Sequence, residues 1–247
     1  MMNDRLKSIR ESEKKSHIEM YSNQNLYKTE SWLKKPIKTV IDIIPLFQDY
    51  EKLRVLDLGC GVGRNCISIA KQYNNIDCII ECVDILDLAI EKLYMNAEEY
   101  GVSPCIKALV QAIEDFQIEK ELYDLIIAVS ALEHVDTEES FIRKLKEIRE
   151  GICKNGIVCL VINSSVIEKD KRTGRDVSAQ FEVNFPTEEL HTILNTIFVD
   201  WDVIKKSVQT QQYDIPREFG ISELQTDVVT FVARKQNVKN KLRRMHS

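Results

Sequence analysis

The feature that most constrains this chain is a short apolar run followed by three glycines at every second position. The run, Leu53–Leu58, carries Asp57 near its end, and Gly59, Gly61 and Gly63 follow it directly. Glycines let the backbone turn tightly and let a ligand lie against bare main chain. A helical segment comes next, so a ligand here would meet strand ends and a helix N-terminus, the usual crevice of an open α/β sheet. The pattern predicts a binding loop, and the alternative is a tight strand–helix turn without a ligand.

Short apolar runs alternate with amphipathic helical segments along most of the chain. Strands that are apolar on both faces are typical of a parallel sheet covered on both sides by helices. No internal repeat and no low-complexity linker interrupts the pattern, so one α/β domain is predicted. The predicted strands are Leu53–Leu58, Cys78–Val83, Ile106–Val110, Leu125–Val129, Ile157–Ile162, Trp201–Val208 and Thr226–Ala233, with a polar connection between the last two.

Prolines, glycines and acidic residues mark the limits of the predicted helices. Pro36 fits the first turn of a helix, and Gly101 and Gly151 fit the ends of two others. Asp136 is predicted to cap the helix after the fourth strand, with Glu139 as its capping-box partner.

The two ends of the chain differ from its centre in charge. Residues 1–24 are dense in charge and poor in large apolar side chains, which predicts a solvated helix or a mobile arm. We therefore divide the chain into an N-terminal helical arm or lid (residues 1–35), a domain (residues 36–235) and a basic C-terminal tail (residues 236–247). The tail fits a solvated end better than a binding arm.

Charge and cysteine content narrow the class of protein. The net charge of -5 gives no overall positive field to attract nucleic acid. The seven cysteines are odd in number and form no C-x-x-C pair, which is typical of buried thiols in a reducing cytoplasm. No window approaches the roughly 18–20 apolar residues that a membrane helix needs.

A second acidic residue follows the second predicted strand. Asp84 lies about 20–25 residues beyond the glycines, where an acidic side chain can accept hydrogen bonds from ribose hydroxyls. Asp87 is an alternative, although it lies inside the next helix. A dinucleotide fingerprint would need glycine where Arg64 stands, and no phosphate-loop ending is present. The spacing favours a ligand other than NAD or ATP.

Three segments resemble motifs of the class I S-adenosylmethionine-dependent methyltransferases. Asp57–Gly63 resembles the first motif, Val83–Ile85 the second, and Tyr123–Val135 the fourth-strand motif of many small-molecule members. The resemblance covers roughly residues 37–165. It implies a doubly wound, mostly parallel seven-stranded sheet with helices on both faces and an antiparallel last strand. It also implies S-adenosylmethionine as the cofactor.

The resemblance assigns roles to individual positions. The three glycines would shape the loop around the methionine part of the cofactor, Asp57 would orient its amino group, and Asp84 would hold the ribose diol. Ile85 would pack on the adenine. Ala112 stands where many members have an acidic residue, so the adenine contact would come from the next backbone unit or from Glu114. The implied cofactor-binding residues are Asp57, Gly59, Cys60, Gly61, Gly63, Asp84, Ile85, Ala112, Ile113, Glu114, Val129 and Ser130.

Candidates for acceptor chemistry follow the fourth strand. Glu133 and His134 are the best placed for a general base or an acceptor contact, since an unperturbed histidine titrates near physiological pH. Local packing of His134 is the alternative. Some metal-assisted O-methyltransferases resemble this segment but have glutamate at the position of Ser130, so no metal is predicted. A strong nucleophile needs no catalytic base, because the cofactor itself supplies the electrophile.

A weaker resemblance, to tellurite-resistance methyltransferases, lies in the C-terminal third. Phe181–Leu190 and Val228–Lys235 follow the order of segments in that family, but Pro216 replaces its histidine and leaves only Arg217 of a His-Arg pair. Arg217 would clamp an anionic acceptor or be an ordinary surface arginine. Three aromatic residues flank the domain and either cover the acceptor pocket or pack, namely Tyr27, Trp32 and Tyr213.

The predicted function is methyl transfer to a small-molecule acceptor by direct in-line displacement. A protein or nucleic acid methyltransferase is the alternative among enzymes, although the fourth strand lacks the Asn/Asp-Pro-Pro motif of base amino-methylation. A noncatalytic S-adenosylmethionine-binding protein is the alternative from another class. The acceptor and the oligomeric state are not encoded in any recognisable feature.

Overall fold

One mixed sheet runs through this protein in a computed structural model that describes residues 4–23, 25–29, 31, 33–217 and 219–236. Within those residues the sheet has eight strands. They are β1 (Lys52–Leu58), β2 (Asp77–Asp84), β3 (Ile106–Val110), β4 (Tyr123–Val129), β5 (Ile152–Asp170), β6 (Asp176–Val177), β7 (Asp202–Arg217) and β8 (Gly220–Arg234).

The strand order places a ligand crevice at the centre of the sheet. The order is β3-β2-β1-β4-β5-β8-β7, with the short β6 paired to β5. Strands β1 to β5 run parallel to their neighbours in this order, whereas β8 is antiparallel to β5 and β7 is antiparallel to β8. The order reverses between β1 and β4, and open α/β sheets bind ligands beyond the carboxyl ends of strands at such a point.

Helices cover both faces of the sheet and create two hydrophobic cores. One core joins β1 and β2 to the helix that precedes β1 and to the helices that follow each strand, through residues such as Val40, Ile67 and Leu93. The other joins β4 and β5 to the later helices, through residues such as Phe141 and Leu190. The predicted α/β class is confirmed. The helices are α1 (Asp4–Asn23), α2 (Lys38–Ile43), α3 (Cys66–Tyr73), α4 (Asp87–Glu99), α5 (Glu138–Gly151) and α6 (Thr187–Ile197).

The last strands differ most from the sequence prediction. The polar connection expected between Trp201–Val208 and Thr226–Ala233 is wrong, because β7 and β8 pair from Asp202 with Arg234 to Arg217 with Gly220, with one register shift between Val203 and Lys205. Strand β5 likewise continues eight residues past its predicted end at Ile162. These extensions are largely polar and stand beyond the parallel strands, so no apolar run signals them.

Helix limits also differ in detail. The predicted cap at Asp136 is wrong, because Thr137 is the N-cap of α5 and its Oγ1 accepts a hydrogen bond from Ser140 N at 3.1 Å. Helix α2 begins at Lys38, so Pro36 precedes the helix. The predicted helix end at Gly101 is confirmed, since Gly101 follows α4 with φ +67° and donates its N–H to the preceding turn.

The N-terminal segment forms a helix with one packed face. Ile9 and Tyr21 are buried, whereas most of the outward side chains of α1 are exposed. The expectation of a solvated helix therefore holds for one side of α1 only. The predicted tail, residues 236–247, lies outside the described residues except for Gln236.

Candidate functional site

The glycine loop lies where the sheet order reverses, and its glycines are required by geometry. Gly59 has φ +72° and Gly61 has φ +52°, a region that L side chains rarely adopt. A Cβ atom on Gly59 would lie 2.3 Å from the Cβ of Ala131, and one on Gly61 would lie 2.7 Å from the hydroxyl oxygen of Tyr21. The loop therefore brings bare backbone against Ala131 and Tyr21 of the same chain, and its contact with a ligand stays a prediction.

Two buried carboxyl groups flank this loop. Asp57, at the end of β1, is 1% exposed, and burial raises the pKa of its carboxyl to about 7, with a further rise from the nearby Asp84. Its Oδ2 atom has no hydrogen-bond partner among the described residues. A buried, unpaired carboxylate oxygen is costly, so this atom suits a cationic or hydrogen-bond-donating ligand.

Asp84 ends β2 on the other side of the loop. Its Oδ2 accepts a hydrogen bond from Gly61 N at 2.9 Å, and its Oδ1 accepts one from Leu86 N at 3.0 Å. Burial raises the pKa of the Asp84 carboxyl, and these two amides oppose the rise. The backbone thus fixes the orientation of the carboxylate, while each oxygen keeps a second lone pair for a ligand.

A cavity of about 280 Å³ lies between the glycine loop, the strand ends and α1. Ser130, where β4 ends, has φ +49°, an uncommon conformation that often accompanies function in non-glycine residues. Ile85 is 49% exposed and offers an apolar surface to the cavity. Seven of the predicted cofactor-binding residues line it, namely Gly59, Asp84, Ile85, Ala112, Ile113, Glu114 and Ser130.

Helix α1, inside the predicted arm or lid, supplies one wall of the cavity through residues that were not predicted. Arg10, Lys14, His17 and Tyr21 recur at helical spacing and all line the cavity. Arg10 forms an ion pair with Glu114, and its Nε lies 3.8 Å from Oε1 of Glu182. The spacing of these four residues was a usable signal, but a polar face on a charge-rich helix resembles a solvated face.

The opposite wall contains a histidine–glutamate pair. His134 Nδ1 is 2.9 Å from Oε2 of Glu182, and the imidazole stacks on Phe181 at a centroid distance of 5.3 Å. The Glu182 side chain is 2% exposed. Sequence analysis identified His134 but not Glu182, because the two are 48 residues apart and no local pattern connects them.

Other predicted site residues lie outside the lining of this cavity. Glu133 is 1% exposed, and its Oε1 accepts hydrogen bonds from the backbone and side-chain amides of Asn163. Arg217 forms a two-pronged ion pair with Glu168, with N–O distances of 2.7 and 2.8 Å. Glu133 is thus hydrogen-bonded to β5 through Asn163. The guanidinium of Arg217 is already paired with the carboxylate of Glu168. The other five predicted cofactor-binding residues do not line the cavity, namely Asp57, Cys60, Gly61, Gly63 and Val129.

Two of the three flanking aromatic residues, Tyr27 and Tyr213, do not line the cavity. The Tyr27 hydroxyl donates to the carbonyl oxygen of Arg64 at 2.8 Å, and its ring packs edge-on against Tyr100. Tyr213 is 47% exposed on β7, and Trp32 lies outside the described residues. The packing alternative therefore fits Tyr27.

Comparison with known proteins shows what this chain is similar to. Residues 55–156 match a family described as a methyltransferase domain. This match confirms the resemblance to class I S-adenosylmethionine-dependent methyltransferases. The matched segment contains the glycine loop, Asp84 and the His134 turn.

Individual relatives are similar over part of their length. The ubiquinone biosynthesis O-methyltransferase of Rickettsia typhi is 32% identical over 137 residues, which cover 55% of this chain and 50% of that protein. The norajmaline N-methyltransferase of Rauvolfia serpentina is 31% identical over 94 residues, which cover 37% of this chain and 30% of that protein. The chain thus spans at most about half the length of these curated relatives.

Solved structures agree in fold. TehB from Haemophilus influenzae superposes with a TM-score of 0.57 at 20% identity, covering 79% of this chain and 62% of that one. Geranyl diphosphate methyltransferase, solved in complex with S-adenosylmethionine, superposes with a TM-score of 0.54 at 14% identity, covering 80% of this chain and 84% of that one. At these identities the likeness concerns the fold alone.

The described residues contain neither a helix suited to cross a membrane nor a cluster suited to hold a metal. None of the helices is long and apolar enough to cross a bilayer. Among the described residues, no group of three or more His, Cys, Asp or Glu side chains is arranged to hold a metal ion.

Proposed function

We propose that this chain binds S-adenosylmethionine and transfers its methyl group to a small-molecule acceptor by in-line displacement. The observation that carries the proposal is the pair of buried carboxyl groups, Asp57 and Asp84, on either side of the glycine loop. When bound, the cofactor supplies an electrophilic methyl group on a sulfonium. The chain itself has to hold this group, orient the acceptor and exclude water.

The residues around the loop fit the parts of this cofactor. Asp57 Oδ2 is buried and lacks a partner among the described residues, so it suits the ammonium of the methionine part. Asp84 has lone pairs for the two ribose hydroxyls, and the N–H of Gly61 fixes the orientation of its carboxylate. Ile85 provides an apolar surface for the adenine. Glu114 or the backbone of Ile113 would contact the adenine amino group.

The lining of the cavity favours an enzyme over a noncatalytic binding protein. A site without turnover needs no ionisable groups beyond those that hold the cofactor. Here Arg10, Lys14, His134 and Glu182 line the same cavity as the predicted cofactor residues. The named activities of the relatives, an O-methylation and an N-methylation of small molecules, support the same class of acceptor.

The proposal extends to the cellular compartment. All seven cysteines are free thiols, and six of them are buried. Free thiols in this number are typical of a reducing cytoplasm, and we propose that the protein acts there.

Calorimetric titration with S-adenosylmethionine and S-adenosylhomocysteine tests the function directly. Wild type is expected to bind at micromolar levels, and Asp84→Ala is expected to lose about 1–3 kcal/mol of binding free energy, as lost charged hydrogen bonds should. Asp87→Ala is the matched control, because Asp87 is an exposed carboxylate three residues further along. Its affinity should stay close to that of wild type. If wild type binds neither ligand, the proposed function is overturned.

A further inference from the structure

The His134–Glu182 pair carries an inference about the acceptor. We propose that Glu182 is a positioning residue that makes His134 the general base for an acceptor with an acidic hydroxyl group, such as a phenol. The inference rests on the proposed function, because it assigns a substrate class to the same cavity. His134 lies in the segment that matches the methyltransferase domain, whereas Glu182 lies outside it.

The contact between the two side chains selects one tautomer of the imidazole. A carboxylate only accepts hydrogen bonds, so the Nδ1–H of His134 donates to Oε2 of Glu182 over 2.9 Å. In the neutral ring the lone pair is then on Nε2, the nitrogen that would take a proton. A carboxylate behind an imidazole both fixes this tautomer and stabilises the imidazolium that proton transfer creates.

The segment that carries Glu182 is held firmly against the histidine turn. Val183 N donates a hydrogen bond to the carbonyl oxygen of Glu133 at 3.0 Å, next to His134 in the chain. Val183 is 2% exposed. Phe181, which precedes Glu182 in the chain, stacks on the imidazole. Three consecutive residues thus fix the carboxylate and the ring together, as a base of defined orientation requires.

The charges around the pair come from three parts of the chain. Helix α1 places Arg10 with its Nε 3.8 Å from Oε1 of Glu182, so the carboxylate faces both a guanidinium and an imidazole. Arg10 is in turn paired with Glu114. Proton uptake by His134 therefore depends on Glu182, Arg10 and Glu114 together. Among the described residues, the remaining ionisable groups that line the cavity are Lys14, His17, Tyr21 and Asp84.

The chemical step balances with these groups alone and the proposed cofactor. The acceptor hydroxyl gives its proton to Nε2 of His134, its oxygen forms the new bond to the methyl carbon, and the electron pair of the broken carbon–sulfur bond stays on sulfur. The imidazolium, paired with Glu182, later releases the proton to water. A thiol that is already ionised at neutral pH needs no such base, and this difference separates the two classes of acceptor.

Nitrogen NMR of selectively labelled histidine tests the pair without turnover. The neutral His134 ring is expected to carry its proton on Nδ1, and Glu182→Gln is expected to lower the titration midpoint of His134 by about one pH unit, because a nearby negative charge is lost. Glu168→Gln is the matched control, since Glu168 is also buried and ion-paired but lies beside Arg217. Glu168→Gln should leave the titration midpoint of His134 unchanged. A proton on Nε2, or an unchanged midpoint in Glu182→Gln, overturns the inference.

Kinetics with two aromatic probes test the class of acceptor. With catechol, Glu182→Gln should lower kcat by about 10–100-fold and change KM little, within the range of general-base effects. The acid limb of its pH profile should move to lower pH. Transfer to thiophenol should be nearly unchanged. Absence of transfer to catechol, or an equal loss with both probes, overturns the inference.

The two levels of the proposal fail in different ways. Absence of cofactor binding in the calorimetric titration removes the proposed function, but it leaves the histidine tautomer readable by NMR. The wrong tautomer removes the role of Glu182 and leaves cofactor binding intact.

Discussion

At the scale of single residues, Gly59 is the point where two requirements of the binding loop coincide. Its φ of +72° suits glycine, and its missing side chain leaves room for Ala131, which follows β4 on the facing wall. The first requirement concerns the chain alone, whereas the second concerns packing between neighbouring strand ends. A second glycine, Gly174, shares the first requirement only: its φ is +69° and a Cβ there would meet nothing within 4 Å.

Replacing these two glycines by alanine separates strain from packing. Gly174→Ala should cost about 1 kcal/mol of unfolding free energy, since the left-handed conformation penalises a Cβ. Gly59→Ala should cost about 1–3 kcal/mol more because of the contact with Ala131, and it should abolish cofactor binding. Urea unfolding and calorimetry measure the two effects. Equal losses of stability in both variants would contradict the packing argument.

The residues of the site that sequence analysis identified are those with local patterns. Asp57 and Asp84 each end a strand, so their position relative to the glycine loop follows from the order of the elements. Arg10 and Glu182 were missed, because they reach the cavity from segments more than a hundred residues apart. Arg217 was selected for its place in a family pattern, although its side chain is paired with Glu168. Pairing of this kind depends on tertiary structure and leaves no trace in spacing.

At the scale of elements, helix α5 shows how two adjacent residues compete for one cap. Asp136 and Thr137 both have side chains that can cap a helix, and both precede acidic residues in the first turn. The helix starts one residue later than the sequence suggests, and Thr137 has the extended backbone of an N-cap. Boundaries shifted by a residue are the usual outcome when two good caps stand side by side.

Substitution of the two candidate caps tests this assignment. Thr137→Ala should lower the unfolding free energy by about 1 kcal/mol, because the N–H of Ser140 loses its acceptor. Asp136→Ala should change it by less than about 0.5 kcal/mol. Chemical denaturation of both variants at neutral pH measures the difference. A larger loss of unfolding free energy in Asp136→Ala than in Thr137→Ala would show that Asp136 is the N-cap of α5.

The extensions of β5, β7 and β8 were not predictable from apolar runs. Strand β7 is exposed along most of its length, and its residues Gln209–Gln212 are polar. After a register shift between Val203 and Lys205, it nonetheless pairs with β8 in one register from Lys205 to Arg217, because backbone hydrogen bonds do not depend on apolar side chains. By contrast β1 to β4 are short and apolar, and their predicted bounds agree with the structure to within two residues.

At the scale of the whole molecule, the buried carboxyl of Asp57 couples folding to pH. Its pKa is about 7 in the folded protein, against an ordinary value of 3.8. At low pH both the folded and the unfolded chain hold the proton, so no penalty arises. As the pH rises toward 7 the unfolded chain releases its proton first, and this carboxyl progressively lowers the stability of the fold.

Asp57→Asn should therefore stabilise the ligand-free protein at pH 8 but not at pH 4. We expect a gain of about 1–4 kcal/mol at pH 8, together with weaker binding of S-adenosylmethionine. Urea denaturation over this pH range measures the gain, and Asp49→Asn, on the exposed surface, is the control. A constant difference between Asp57→Asn and wild type at every pH would contradict the expectation.

The cavity has two walls of different origin, and this division has an evolutionary consequence. The glycine loop, Asp84 and Ser130 lie within the segment shared with other methyltransferases, whereas Arg10, Lys14 and Glu182 lie outside it. The second group contacts the matched segment through two pairs, Arg10 with Glu114 and Glu182 with His134, so an exchange has to keep both. New acceptor preferences would then arise by exchange of the N-terminal helix and the segment around Glu182, and chimeras made at these borders offer a direct route to altered specificity.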